Sequence, residues 1–153
     1  HVVRVMPNTA ALVGQGMAAV SGGSSATDED VEQALALMGA LGKAIAVPEQ
    51  HQDAVVALSG SGAAYFFLVA EAMIEAGVEA GLPRDQATTL VRQTLAGAGA
   101  MIAQEDSPSR LREQITSPGG TTAAGLAALE AHGLRHSIRQ AVQAARDKSI
   151  ELG

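Results

Sequence analysis

The densest group of residues able to do chemistry in this sequence is a run of hydroxyls and glycines, TSPGGTT, at residues 116–122. Glycines let a backbone approach a ligand closely, and hydroxyl groups donate hydrogen bonds to a ring nitrogen. A helix that starts directly after the run offers free amides to an anion such as a carboxylate. The run therefore predicts a substrate-binding loop, while a purely structural interhelical loop with a threonine cap remains the alternative.

Two other glycine motifs are weaker candidates. Residues 14–19, GQGMAA, match the letters of a dinucleotide-binding fingerprint. That fingerprint needs a helix directly after its glycines, and a β-prone run follows here, so we predict a turn between strands. Residues 59–62, SGSG, precede a strongly helical run, which is equally compatible with an anion-binding helix start and with a cap that allows close packing.

No metal site is predicted. The sequence has four histidines and no cysteine, and of the histidines only His132 and His136 share a helical spacing, with Gly133 between them. The sequence has no H-E-x-x-H motif and no cluster of carboxylates outside the run at residues 28–30, which helix capping explains.

Composition restricts the partners of the protein. A net charge of −6 disfavours nucleic acid, and the lack of cysteine is compatible with a cytoplasmic location. The longest uninterrupted apolar run, residues 63–70, is shorter than the roughly 18 to 20 residues of a membrane span, and the first residues do not resemble a signal peptide. We therefore expect neither a nucleic-acid nor a membrane partner.

Strand-like segments are confined to the first third of the chain. They fall at residues 2–5, 16–20 and 44–47. A predicted helix separates the second segment from the third. Thr27 and Asp30 have the spacing of a capping box at the start of this helix, and Gly42 is predicted to end it. The pattern changes near Pro48, which divides the chain into residues 1–48 and 49–153.

Helical periodicity dominates after Pro48. One helix is predicted over residues 63–80, a second from Pro83 as its first residue to about residue 104, a third after Ser107, and two more before and after Gly133. The faces of these helices are rich in alanine, glycine and aliphatic residues and exceed what one small bundle buries. Homo-oligomerisation is therefore favoured, with a compact monomeric bundle as the alternative.

Four segments resemble the pyrroline-5-carboxylate reductase family. LREQITSPGGTTAAGLAALE, residues 111–130, is similar to the family signature, and ALSGSGAAYFFLVAEAM, VRVMPNTAA and the turn at residues 81–83 resemble other family segments in the same order. The resemblance covers essentially the whole chain. It implies an oxidoreductase that reduces 1-pyrroline-5-carboxylate to L-proline with NADPH or NADH, the last step of proline biosynthesis.

The resemblance also implies a fold and an assembly. Residues 49–153 are expected to form an all-helical substrate-binding and dimerisation domain, similar to the C-terminal domain of 6-phosphogluconate dehydrogenase. Residues 1–48 are expected to be a βαβ-type remnant of a Rossmann domain. Family members form homodimers with active sites at the dimer interface, and rings of dimers also occur.

The site residues implied by the resemblance fall mainly in the glycine-rich loop. Thr122 is expected to hydrogen-bond the ring nitrogen and to favour its protonated, electrophilic form. The Ser117 hydroxyl and the amides of Gly119, Gly120 and Thr121 are expected to hold the substrate carboxylate.

Two further assignments follow from the resemblance. Glu105 is a candidate proton relay. Met6, Pro7 and Asn8 correspond to a loop on the nicotinamide side of the cofactor, although Ala10 stands where family members often have proline.

Two other functions remain open from the sequence. The chain lacks a phosphate-binding glycine loop, so it is expected not to reduce a substrate alone and is equally described as a non-catalytic dimerisation module. A related imine or hydroxyacid dehydrogenase is the third possibility.

Overall fold

The computed structural model describes residues 1–104 and 107–153. Three strands and one helix form in the first 46 residues: β1 (Val3–Pro7), β2 (Gly16–Gly22), α1 (Asp28–Gly39) and β3 (Gly42–Ala46). Helices dominate the rest: α2 (Gln52–Val55), α3 (Gly62–Glu79), α4 (Arg84–Ile102), α5 (Pro108–Gln114), α6 (Thr121–Ala131) and α7 (Leu134–Leu152). The predicted mainly α-helical fold class is confirmed.

The described chain packs as two compact units. Unit 1 consists of residues 1–65 and 138–153, and unit 2 consists of residues 66–137. The change from strands to helices falls between Ala46 and Glu49. The domain boundary between residues 48 and 49 stays a prediction.

Unit 1 is built on a three-stranded sheet of order β1-β2-β3. β2 is antiparallel to β1 and parallel to β3, so β2, α1 and β3 form a βαβ unit, as expected for the first part of the chain. The central strand carries the core residues, because Ala18, Ala19 and Val20 are at most 3% exposed. Ser149 near the end of α7 donates a hydrogen bond to Asp53 at 2.7 Å and ties that helix to the unit.

The register of β2 and β3 depends on two glycines. Gly16 lies opposite Gly42 in the parallel ladder, and the Gly16 amide donates to the Leu41 carbonyl at 2.8 Å. Gly42 has φ of +150°, and a Cβ atom there would lie 2.1 Å from the Gly16 carbonyl oxygen. The prediction that Gly42 ends the helix was wrong: α1 ends at Gly39, and Gly42 begins β3 because only a residue without a side chain fits this approach.

The capping box at the start of α1 is confirmed. The Thr27 hydroxyl accepts a hydrogen bond from the Asp30 amide at 3.2 Å, and the Asp30 carboxylate accepts one from the Thr27 amide at 2.7 Å. The Thr27 backbone bond and then the hydroxyl bond hold the pKa of Asp30 below its ordinary value of 3.8. The charged form of Asp30 therefore stabilises the helix start.

In unit 2, α3 and α4 are joined by a tight turn. Gly81 has φ of +100°, and a Cβ on Gly77 would lie 3.2 Å from the Ala87 Cβ, which confirms the predicted small-residue contact. Pro83 was predicted as the first helical residue, but it is the N-cap, with ψ of 142°, and α4 starts at Arg84. Arg84 donates two hydrogen bonds to Glu75, at 2.8 and 2.9 Å, which lower the pKa of Glu75.

The apolar side chains of α3 are largely exposed. Phe66, Phe67 and Leu68 are 67%, 64% and 65% exposed. By length and composition, the continuous helical stretch Glu49–Glu79 also meets the requirements of a membrane span, with mean hydropathy 1.5. The expectation of no membrane helix, which considered only uninterrupted apolar runs, is therefore not confirmed. Core helices of soluble proteins pass the same criteria, although only 11% of this window is buried here.

Replacement of Gly42 tests the sheet register. We expect Gly42→Ala to lower the free energy of unfolding by more than about 3 kcal/mol, because the new methyl group meets backbone and not a movable side chain. Gly39→Ala is the matched control, since a Cβ there has nothing within 4 Å, and it is expected to be neutral or to stabilise by up to about 1 kcal/mol. Urea unfolding followed by circular dichroism measures both. A Gly42→Ala protein as stable as the parent would contradict the register.

Acidification tests the capping box. A carboxyl group with a lowered pKa in the folded state stabilises the fold above its unfolded pKa of about 4, and this contribution is lost as the pH falls through the folded pKa. The stability difference between the parent and Asp30→Asn should therefore shrink as the pH falls below about pH 4. Asp28→Asn is the control, because it removes a negative charge from the same helix turn and leaves the capping box intact. It therefore separates the effect of the capping hydrogen bonds from the effect of charge at the helix end. A difference independent of pH would refute the assignment.

Candidate functional site

The glycine-rich loop begins where α5 ends. The Thr116 hydroxyl donates to the Arg112 carbonyl at 2.6 Å, and the Thr116 amide donates to Glu113 at 3.1 Å, so both groups complete the last turn of the helix. At the other end of α5, Ser107 caps the helix by accepting a hydrogen bond from the Arg110 amide at 3.2 Å, as predicted. Thr116 is therefore a structural residue.

Both glycines of the loop have a geometric role. Gly119 has φ of +70°, in the left-handed region that glycine tolerates. The Gly120 amide donates to the Ser117 carbonyl at 3.0 Å and closes the turn. A Cβ on Gly120 would lie 2.8 Å from the Ser117 hydroxyl oxygen, so this turn holds the hydroxyl against the backbone at Gly120. Ser117, Gly119 and Gly120 thus form one turn, and their predicted role in holding the substrate carboxylate stays a prediction.

α6 begins directly at this turn. Gly120 is its N-cap in an extended conformation, and it provides no side chain to accept from the first amides of the helix. The amides of Thr121 and Thr122 therefore lie at the positive end of the helix, next to the Ser117 hydroxyl. This arrangement of donors is chemically suited to a carboxylate.

Thr122 also borders an apolar hollow in unit 2. The hollow has a volume of about 240 Å³ and lies among α4, α5 and α6. Its apolar lining comes from Ala98, Met101, Ile102, Pro108, Leu111, Ile115 and Leu126. Half-buried Thr122 also lines this hollow, with Arg112 as the charged neighbour. The sequence prediction missed the hollow, because its walls come from three helices whose packing no local motif specifies.

The Met6–Asn8 loop lies in unit 1, at the end of β1. The backbone of Asn8 donates to the Met17 carbonyl at 3.1 Å, and the Asn8 side-chain oxygen accepts from the Met17 amide at 3.1 Å. The Asn8 side-chain nitrogen donates to the carbonyl and to the hydroxyl of Ser59, both at 3.4 Å. The contact with Ser59 was missed by sequence reasoning, since the two residues are 51 positions apart.

The SGSG motif has a different structure from the predicted helix start. Val56–Gly60 form a π-helical turn inside a continuous helical stretch, and the Ser61 amide donates to the Val56 carbonyl at 2.8 Å. The Tyr65 hydroxyl donates to the carbonyl of Ala57 at 3.1 Å. Because the motif lies inside a helix, neither the anion-binding start nor the cap describes it.

The remaining candidate motifs have simple outcomes. Gly14, with φ of +69°, ends a 3₁₀ turn (Thr9–Val13), and β2 follows at Gly16, so the predicted turn between strands is confirmed. Within residues 1–104 and 107–153, no three His, Cys, Asp or Glu residues form a group able to hold a metal ion. Glu105, the candidate proton relay, lies outside the described residues.

The βαβ unit and the helical part together define the class of the protein: a mainly α-helical domain that follows a small three-stranded βαβ-type sheet. Residues 49–152 match the family model of pyrroline-5-carboxylate reductase dimerisation. The chain therefore belongs to the pyrroline-5-carboxylate reductase family.

Individual relatives agree with this assignment. The pyrroline-5-carboxylate reductase of Mycobacterium leprae is 48% identical over 99% of this chain and 58% of its own length. That of Glycine max is 46% identical over 98% of this chain and 55% of its own length. This chain thus spans little more than half the length of these curated relatives.

Solved structures show the same fold. The structure of a pyrroline-5-carboxylate reductase from Coxiella burnetii matches with a TM-score of 0.95 and 38% identity, covering 99% of this chain and 57% of that one. The crystal structure of Plasmodium falciparum pyrroline carboxylate reductase with NADP bound matches with a TM-score of 0.87 and 37% identity, over 97% and 62% of the two chains.

Replacement of Gly119 tests the geometry of the loop. Gly119→Ala places a side chain in the left-handed region and should cost about 1–2 kcal/mol of stability, whereas Gly119→Asn should cost clearly less because asparagine tolerates that region. Thermal unfolding of the two variants measures the difference. Equal losses for alanine and asparagine would contradict a left-handed Gly119.

Proposed function

We propose that this chain is part of an oxidoreductase that reduces 1-pyrroline-5-carboxylate to L-proline, the last step of proline biosynthesis. The observation that carries the proposal is the loop at residues 117–122, which combines the family signature with the donor geometry that the substrate needs. An anion-binding helix start lies beside a threonine hydroxyl at the edge of an apolar hollow. The substrate has the matching chemistry: a carboxylate attached to a largely apolar ring with one nitrogen.

The carboxylate of the substrate is assigned to the start of α6. The Ser117 hydroxyl and the amides of Gly119 and Thr121 are its proposed donors, whereas the Gly120 amide, predicted with them, already donates to the Ser117 carbonyl. Binding at backbone amides needs no buried positive side chain, because the helix end itself carries partial positive charge. This orientation presents the ring nitrogen to Thr122.

Thr122 is proposed to hydrogen-bond the ring nitrogen during reduction. The imine is electrophilic when its nitrogen is protonated, and hydride addition to the C=N carbon turns this iminium into the neutral secondary amine of proline. A threonine hydroxyl is a weak acid, so Thr122 positions and stabilises the nitrogen and is not itself the source of the proton. Glu105 stays a predicted relay.

NADPH or NADH supplies the hydride when bound. The described residues fit only the nicotinamide side of such a cofactor, because the GQGMAA motif forms a turn between strands and offers no helix start for the phosphates. Met6 and Pro7 are the proposed neighbours of the nicotinamide, and Asn8, predicted with them, is the third residue of the same loop. The phosphate-binding part is expected in the portion of the relatives' length that this chain does not span. The P. falciparum relative, whose structure holds NADP, supports this class of cofactor.

A homodimer is proposed to cover the exposed face of α3. The name of the matching family model and the large exposure of Phe66, Phe67 and Leu68 favour a second copy. The charge of Glu75 further along α3, paired with Arg84, disfavours a lipid environment. Rings of dimers and a cytoplasmic location stay predictions.

Association without catalysis is the second candidate function for the chain as printed. The exposed apolar side chains of α3 and α4 favour it, because burying them against a second copy requires no cofactor. Sedimentation and an activity assay on the same sample separate the two candidates. Family membership disfavours the related imine or hydroxyacid dehydrogenase.

Removal of the Thr122 hydroxyl tests the proposed chemistry. In the complete reductase that contains this chain, Thr122→Val keeps the shape of the side chain and should lower turnover of 1-pyrroline-5-carboxylate by about 10²- to 10³-fold, the usual scale for one donor that acts in the transition state. NADPH oxidation at 340 nm, which depends on added substrate, measures this loss.

The matched control is Thr88→Val, which removes a hydroxyl that donates only to the Arg84 carbonyl on the surface of α4. This control should retain parental turnover. A fully active Thr122→Val enzyme would remove the role of Thr122, and a parent enzyme without activity on the substrate would refute the proposed reaction.

A further inference from the structure

The Asn8 side chain is fully engaged within unit 1. Its oxygen accepts from the Met17 amide at 3.1 Å, and its nitrogen donates to two acceptors of Ser59. The carboxamide thus connects the end of β1, the start of β2 and the helical stretch. A side chain that uses both of its polar atoms in this way acts as a scaffold element.

The partner of Asn8 is an unusual piece of backbone. Ser59 belongs to the π-helical turn Val56–Gly60, and π turns inside α-helices are frequent at functional sites. The same turn also contacts the loop through packing: a Cβ on Gly60 would lie 2.8 Å from the Met6 terminal methyl group. One polar contact and one apolar contact therefore hold the Met6–Asn8 loop against the π turn.

We propose that Asn8 is a positioning residue, which fixes the Met6–Asn8 loop against the π turn and thereby sets the nicotinamide side of the cofactor site. The inference rests on the proposed function. It differs from the expectation drawn from resemblance in one respect: Asn8 acts through Met6, Pro7 and the π turn, and does not touch the cofactor.

This role has a kinetic consequence. Hydride transfer depends steeply on the distance and angle between donor and acceptor carbons, so a displaced nicotinamide slows the chemical step itself. A purely structural hydrogen bond, in contrast, changes the amount of folded enzyme and leaves the chemical step of each folded molecule unchanged.

Asn8→Asp in the complete reductase tests the proposal. The variant keeps the size of the side chain and the acceptor for the Met17 amide, and it replaces the donor to Ser59 with an oxygen that repels the Ser59 carbonyl. We expect kcat to fall by about 10- to 100-fold. The primary isotope effect with NADPH deuterated at the transferred hydrogen should increase, because hydride transfer becomes more fully rate-limiting.

Two further variants make the test specific. Ser59→Ala removes only the hydroxyl acceptor and should change kcat and the isotope effect in the same direction by a smaller factor; it also serves if Asn8→Asp does not fold. Ser21→Ala removes a buried hydroxyl of the same unit that donates to Val47 at 2.7 Å and accepts from Gln52 at 2.6 Å. This control should lower the melting temperature without changing the isotope effect.

The outcomes are distinct. A larger isotope effect in Asn8→Asp and Ser59→Ala, with the Ser21→Ala value equal to that of the parent, supports the positioning role. Activity that falls only with the folded fraction, or an isotope effect equal to that of the parent, overturns it. A parent enzyme that does not oxidise NADPH with 1-pyrroline-5-carboxylate refutes the proposed function and this inference together.

Discussion

Burial of apolar side chains is the constraint on which the helical part of this chain depends. Full burial of one large apolar side chain contributes about 1.5–3 kcal/mol, yet Phe66, Phe67 and Leu68 follow one another on α3 with about two thirds of each exposed. A helix with such a surface in water is a site of association. The proposed homodimer would satisfy the constraint, because a twofold axis pairs each apolar face with an identical one and no separate partner is needed.

The sheet unit buries its apolar surface with small residues. Its central strand places Ala18, Ala19 and Val20 between helices, and the close approach of Gly16 and Gly42 brings the parallel strands into register without side chains. Polar groups buried there are mostly paired within the unit: Ser21 donates to the Val47 carbonyl and accepts from Gln52. Small side chains leave little room for substitution, so this part of the fold depends on backbone geometry more than on apolar volume.

Local sequence signals were sufficient to predict those features whose contacts lie within a few residues of one another. The capping box of Thr27 and Asp30 spans four residues, and its four bonding atoms lie within one turn of helix, so the prediction was confirmed in detail. The start of α6 after Gly120 was predictable for the same reason. Gly42 shows the limit of local signals. A glycine after a helix predicts the end of that helix, but the structural role of Gly42 is a close contact with Gly16 on the neighbouring strand. The contact of Asn8 with Ser59 carries no local signal at all, since asparagine before a threonine also describes an ordinary turn.

The glycine-rich loop also combines a fold that depends on local contacts with an environment that depends on distant ones. Residues 117–122 fold as the sequence predicts, but the strength of a hydrogen bond from Thr122 depends on how much water surrounds it. Three residues that line the hollow beside Thr122 are about half exposed or more: Met101, Ile102 and Ile115, at 47%, 52% and 63%. Any surface that covers them also removes water from around Thr122 and lowers the local dielectric, which would strengthen the hydrogen bond proposed between Thr122 and the ring nitrogen. In the proposed dimer, association and chemistry would therefore be linked, because a contact that buries these apolar side chains also lowers the dielectric around Thr122.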